Sequence, residues 1–250
     1  MPLTPDDVLL TGKVCVVTGA AQGIGRAITD AISAFGGVVA ACDRDAAALA
    51  DLTASIAAVL DVREEEAVGQ FVTDVIAEHG RIDVLVNNAG GGFASSFLDV
   101  SAKGQTALVA ENFASVTNLI RACVPHMVDG GAIVNITSIE AHRAGPGFAV
   151  YSAMKAAVEN LTKSLALELG ERMIRVTCVA PDVIPTPGVG DLGDPTTPLP
   201  TKGHVDDVAA AVLYLAGPMG RFVTGATVHV DGGNHAAGGW QRQPDGGWHP

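Results

Sequence analysis

Of 250 residues, 48% are apolar and only 4% aromatic, which provides for a sizeable core made chiefly of small and β-branched side chains. Fifteen Lys and Arg against 27 Asp and Glu give a formal charge of -12, so no basic stripe is offered to phosphates, and neither nucleic acid nor anionic membrane is expected as a partner. The opening stretch MPLTPDDVLL has neither a basic n-region nor a long apolar h-region, and no run approaches the roughly 18 apolar residues that span a bilayer, which predicts a soluble, unexported, cytoplasmic protein.

In chain order, KVCVVTG from Lys13 is the first of seven short, nearly continuous apolar runs that end in turn residues; the others start at Gly37, Ala57, Ile82, Gly131, Ile174 and Gly225. Helical periods lie between them. The alternation predicts βαβ units and an α/β fold, with a parallel sheet covered by helices on both faces. No composition break marks a boundary, so residues 1–250 read as a single domain.

Two segments escape the alternation. Residues 182–204 are too rich in proline and glycine for a helix or an interior strand, and read as a lid or substrate loop, with disorder as the alternative. The extension from Asn234 to Pro250 carries both tryptophans, Trp240 and Trp248, among glycines and prolines, and such rings call for a surface to bury against. Cys15, Cys42, Cys123 and Cys178 are scattered, without CxxC or metal-ligand spacing, and read as reduced, buried apolar residues. No metal site is expected.

The first chemical motif is TGAAQGIG, Thr18 to Gly25, between the first strand and the first helix. Glycines 19, 23 and 25 allow a tight turn, close approach of the backbone to a pyrophosphate, and helix-to-sheet packing, and the helix N-terminus presents free N–H groups. Gln22 and Ile24 lie within the loop, and Gln22 adds no positive charge. About 20 residues on, Asp43 ends the second strand, where a carboxylate bonds the adenosine ribose hydroxyls and repels a 2′-phosphate. This favours NAD over NADP. The neighbouring Arg44 is the competing signal, since a guanidinium could hold that phosphate or simply face solvent.

With NNAG (Asn87 to Gly90), YSAMK (Tyr151 to Lys155) and VHVDGG following in order, the chain resembles the short-chain dehydrogenase/reductase family over nearly its whole length. The resemblance implies a Rossmann-type, doubly wound domain with seven parallel strands, hydride transfer to or from nicotinamide, and a homotetramer or dimer. It implies catalytic roles for Asn112, Ser138, Tyr151 and Lys155, with Asn112 holding a water that leads from the lysine to solvent. It places Asn88, Ala89 and Gly90 on the adenine side of the cleft, Asp61 and Val62 against the adenine ring, and Pro181, Ile184 and Thr186 around the nicotinamide carboxamide.

The chemistry of the pair is also readable from the residues. One helical turn apart, Tyr151 and Lys155 face the same cleft. An adjacent ammonium favours phenolate and is expected to bring the tyrosine down from its usual value near 10 toward the working range. Ser138, a strand-end hydroxyl thirteen residues before Tyr151, can hold a substrate oxygen without titrating.

Three departures from the family pattern stand out. Asp182 replaces the usual glycine after the strand-ending proline; Glu140 and His142 follow Ser138, either to recognise a polar substrate group or to pair with Arg143 on the surface; and the chain extends past Asn234. The expected activity is NAD(P)-dependent oxidation of a secondary alcohol or reduction of the ketone, on a small-molecule substrate such as a 3-oxoacyl thioester or a hydroxysteroid. A catalytically silent NAD-binding protein is the alternative.

Overall fold

A computed structural model describes residues 2–186, 189, 197–243 and 247–249, the side chains of residues 242 and 248 excepted. All seven expected strands form: β1 (Val14–Thr18), β2 (Val38–Asp43), β3 (Ile56–Val59), β4 (Ile82–Asn87), β5 (Met127–Ile136), β6 (Arg175–Pro181) and β7 (Thr227–Val230). They pair in parallel in the order β3-β2-β1-β4-β5-β6-β7. The order reverses between β1 and β4, and the crevice beyond the strand ends at such a reversal is where a doubly wound sheet binds its ligand.

The helices are α1 (Gly23–Ala34), the short α2 (Ala46–Leu49), α3 (Glu65–His79), α4 (Ala102–Val109), α5 (Ser115–Cys123), α6 (Ala149–Glu168), α7 (Val205–Ala216) and α8 (Asn234–Ala237). The all-buried β1 shows why its run lacks alternation. Cys15 and Val17 face a cluster with Ile28 and Ile32 of α1 and Val212 and Leu215 of α7. Val14 and Val16 face the other side, with Phe71 and Val72 of α3, Leu119 of α5 and Val158 of α6. Each fully buried side chain of this size, Ile28 for example, contributes about 1.5–3 kcal/mol. The edge strand β3, by contrast, alternates half-buried and exposed residues.

Between α4 and α5 the chain runs through a π-turn, Ala110–Ala114, that no sequence signal announces. The C-terminal extension is also more ordered than its composition suggests, because α8 is followed by an antiparallel pairing of β8 (Gln241–Arg242) with β9 (Trp248–His249). Trp240 is half exposed. In the proline-rich loop, residues 187, 188 and 190–196 lie outside the described residues. Its far arm is pinned to the end of β7, with Leu199 N–H donating to the Gly232 carbonyl at 2.9 Å.

Candidate active site

Above the β1/β4 reversal lies a cavity of about 350 Å³. One end is built by the turn into α1. Gly19 and Gly23 adopt left-handed backbone conformations, φ 63° and 57°. Gly25 is required for a different reason: a Cβ there would sit 1.9 Å from the Gly19 carbonyl oxygen and 2.5 Å from Asn88 Nδ2. Asn88 clamps this turn by donating from Nδ2 to the Thr18 and Gly19 carbonyls, each at 3.0 Å. No side chain caps the start of α1. Its first N–H groups are therefore left for an anion such as a pyrophosphate.

The end of the cavity beside β2 and β3 is acidic and fixed. Asp43 accepts from the N–H groups of Ala21 and Asp45, both at 3.0 Å. Asp61 is bonded by Arg63, Nε to Oδ1 at 2.9 Å, and this bond holds its carboxyl below the usual range. Arg44 reaches the cavity but is exposed and lies 3.8 Å from Glu111.

At the opposite end, Ser138, Tyr151 and Lys155 line the same cavity. Lys155 is almost fully buried, its Nζ donates to the Ile136 carbonyl at 3.0 Å, and burial lowers its ammonium to about 8. Nζ lies 5.6 Å from the centre of the Tyr151 ring. The expected lowering of the tyrosine is not found. Burial raises the Tyr151 phenol, a hydrogen bond with Ser138 opposes that, and the negative Glu140 adds to it. Desolvation of the phenolate is the largest of these causes and sets the direction.

Of the other expected site residues, Gly19, Gln22, Gly23, Ile24, Gly25, Asp43, Arg44, Asp61, Val62, Asn88, Ala89, Gly90, Pro181 and Thr186 all face the cavity. Ile184 does not. Its side chain is buried in the core and borders a neighbouring pocket. Asn112 is fully buried behind the cavity wall, and its amide donors are used. Nδ2 donates to the Gly91 and Leu108 carbonyls at 2.8 and 3.0 Å, and Oδ1 accepts from Gly91 N–H at 3.1 Å. It clamps the backbone after NNAG, and both amide hydrogens that could hold a water are occupied.

Gly90 stands nearer this end than its expected place beside the adenine implies: a Cβ on it would come within 2.9 Å of Asn112 Oδ1 and 3.1 Å of Lys155 Nζ. Sequence reasoning missed Glu111, Ile136 and Thr137 on the cavity wall. Glu111 adjoins Asn112 and Thr137 adjoins Ser138, an adjacency that could have found those two, whereas no local signal marked Ile136. The surface reading of Glu140 and His142 holds in part. Glu140 does pair with Arg143, at 3.0 Å. His142, however, is mostly buried, lies 3.2 Å from Glu159 and packs edge-on against His229. All four cysteines are buried thiols. Among the described residues no cluster of His, Cys, Asp and Glu could hold a metal, and no helix is long and apolar enough to cross a membrane.

A doubly wound sheet with an open glycine turn at its reversal, a carboxylate closing β2 and a tyrosine and lysine across the crevice defines a nicotinamide-dependent oxidoreductase. The chain belongs to the short-chain dehydrogenase/reductase family. Residues 19–235 match the family described as enoyl-(acyl carrier protein) reductase. The 3-oxoacyl-(acyl-carrier-protein) reductase of Thermotoga maritima is 35% identical over 241 residues, covering 90% of this chain and 98% of that protein. Two solved structures are similar over most of their length. One is a blue fluorescent protein from a metagenomic library in complex with NADPH (TM-score 0.84, 37% identity, 90% of this chain and 98% of that one). The other is a 7α-hydroxysteroid dehydrogenase complexed with NADH and a 7-oxo bile acid (TM-score 0.88, 30% identity, 93% and 98%).

Proposed function

We propose that this oxidoreductase uses NAD in preference to NADP and interconverts a secondary alcohol and its ketone, with Tyr151 as the proton donor and acceptor. A bound nicotinamide would supply or take the hydride. The observation that carries the reading is that Tyr151 and Ser138, from α6 and the end of β5, line one cavity with the capless turn of α1 and the anchored carboxylate of Asp43. The residues fit a dinucleotide. The turn would hold its pyrophosphate, Asp43 its adenosine ribose, and Lys155 the second ribose.

With its phenol raised, Tyr151 is protonated at neutral pH and donates to a carbonyl oxygen; in the reverse direction it receives the hydroxyl proton. Ser138 bonds the same oxygen and orients it. Asn112 acts one step back, by fixing Gly91 and so the wall on which Gly90 meets Lys155. The named relatives suggest 3-oxoacyl or steroid-like substrates.

The test is turnover of a panel of secondary alcohols with NAD by wild type and Tyr151→Phe. The variant is expected to lose roughly 10²- to 10⁴-fold in kcat while still binding NAD. Near-normal turnover in Tyr151→Phe would overturn the assignment.

A further inference from the structure

Among the described residues, Arg44 and Lys155 are the two cationic side chains on the cavity wall, against the carboxylates of Asp43, Asp61 and Glu111. Lys155 is buried at the far end, with Nζ donating to the Ile136 carbonyl. Beside β2 and β3, Arg63 is already bonded to Asp61, its Nε 2.9 Å from both carboxyl oxygens. Arg44 is therefore the one guanidinium on this wall that could meet a phosphate, and its Nη1 lies 3.8 Å from Glu111 Oε1. The two come from opposite halves of the sheet. Arg44 follows β2, whereas Glu111 stands on the π-turn Ala110–Ala114 in the crossover from β4 to β5, so their ion pair spans the crevice. The turn is pinned, because Asn112 Nδ2 and Ser115 Oγ donate to the Leu108 and Glu111 carbonyls at 3.0 and 2.7 Å. Single π-turns within helices recur at functional sites. This one carries Asn112 into the interior and Glu111 onto the cavity wall.

Resting on the reading of Asp43 and Arg44 as neighbours of the adenosine ribose, we propose that Glu111 is a specificity-determining residue for the cofactor: it holds Arg44 across the crevice and so withholds from a 2′-phosphate the cation that would pair with it. A ribose 2′-hydroxyl is neutral and loses nothing by this. A 2′-phosphate is an anion beside Asp43, and it gains Arg44 only after the guanidinium has given up a carboxylate. Arg44 is this chain's signal for NADP, and Glu111 is the group that answers it. The pair is open to solvent on one side, with the Arg44 side chain 66% exposed against 26% for Glu111. Its worth is that of a surface ion pair, a discrimination of a few fold that adds to the repulsion by Asp43 and does not replace it.

The test is calorimetric binding of two nucleotides that differ only in the 2′-phosphate, adenosine 2′,5′-bisphosphate and adenosine 5′-monophosphate, to the full chain as wild type, Glu111→Gln, Arg44→Ala and the double variant. The readout is the ratio of the two dissociation constants, which a change in folding or in the shared adenosine contacts leaves unmoved. Glu111→Gln is expected to shift that ratio toward the bisphosphate by about three- to fivefold, the upper worth of an exposed ion pair. In the Arg44→Ala background the same substitution should shift it by no more than about twofold, because no guanidinium is left to release. An unmoved ratio with Arg44 present overturns the proposal. So does an equal shift in both backgrounds, which would make Glu111 a charge that repels the phosphate directly. The cofactor reading fails separately, by a wild-type enzyme whose kcat/KM is higher with NADP than with NAD.

Discussion

Lys155 Nζ lies 5.6 Å from the centre of the Tyr151 ring and donates to the Ile136 carbonyl at 3.0 Å. A buried ammonium lowered to about 8 disfavours folding while it stays charged. Between the folded value and the unfolded value near 10.4, the unfolded chain binds more protons, so this group adds stability as pH rises from about 8 to 10 and withdraws it as pH falls. Lys155→Met should lose turnover and lack that increment. Urea unfolding at pH 7.5 and 9.5 measures it as the wild-type change minus the variant change, expected on the order of 2 kcal/mol. Equal changes in the two proteins would contradict it.

Gly90 and Gly91 make a matched pair of probes for the wall behind that lysine. A Cβ on Gly90 meets Asn112 Oδ1 at 2.9 Å and Lys155 Nζ at 3.1 Å, whereas one on Gly91 meets nothing nearer than Glu111 Oε1 at 3.9 Å. Gly90→Ala should therefore displace the lysine and cost roughly 10- to 100-fold in kcat, since misplacements near 1 Å have that effect. Gly91→Ala should keep most of its activity. Kinetics with thermal melts on both variants separates lost positioning from lost folding, and equal damage in the two would refute the assignment.

On the proposed reading cofactor choice turns on Asp43, whose two oxygens are each anchored by a backbone N–H, so that it would stay in place against a 2′-phosphate. Asp43→Ala removes the repulsion and leaves Arg44, 3.8 Å from Glu111, able to reach that phosphate. The ratio of kcat/KM with NAD to that with NADP is expected to fall about tenfold or more. A wild-type enzyme that prefers NADP would defeat the premise directly.

The strands were legible because both faces of a parallel sheet are covered, which makes β1 read as an unbroken apolar run that stops at Gly19. The glycine turn and the Tyr151–Lys155 spacing were legible because a local motif sets their geometry. What escaped depends on partners distant in sequence. The Ile184 side chain borders a neighbouring pocket and meets Gly203, where a Cβ would come within 2.6 Å of its Cδ1, a contact across the loop that no local pattern announces. The sign of the shift on Tyr151 followed burial, which spacing does not report. His142 gained its surroundings from Glu159 and His229, and no local pattern could announce those meetings.

His142, His229 and His235 bring three rings together where the segment after Ser138, β7 and α8 meet. His229 and His235 stack at 4.3 Å, and His142 packs edge-on to His229 at 4.5 Å. Burial first, and then the two neighbouring rings, lower His229 below its ordinary value, with Asp231 and Glu159 opposing; Glu159 is itself shared with Lys163 at 2.6 Å. A histidine depressed in the folded state leaves stability intact above about pH 6.5, and the loss sets in below that as the unfolded chain takes up protons first. Wild type should therefore lose more in melting temperature between pH 7 and pH 5 than His229→Gln, which carries no charge to repel its neighbours. Because α8 also bears Asn234, the bond from Asn234 to Asp182 should loosen in the same range, and amide exchange of residues 234–238 is expected to speed up at pH 5 in wild type alone. Parallel melting curves for the two proteins, or exchange that is insensitive to pH after correction for its intrinsic rate, would show that the rings carry no such coupling.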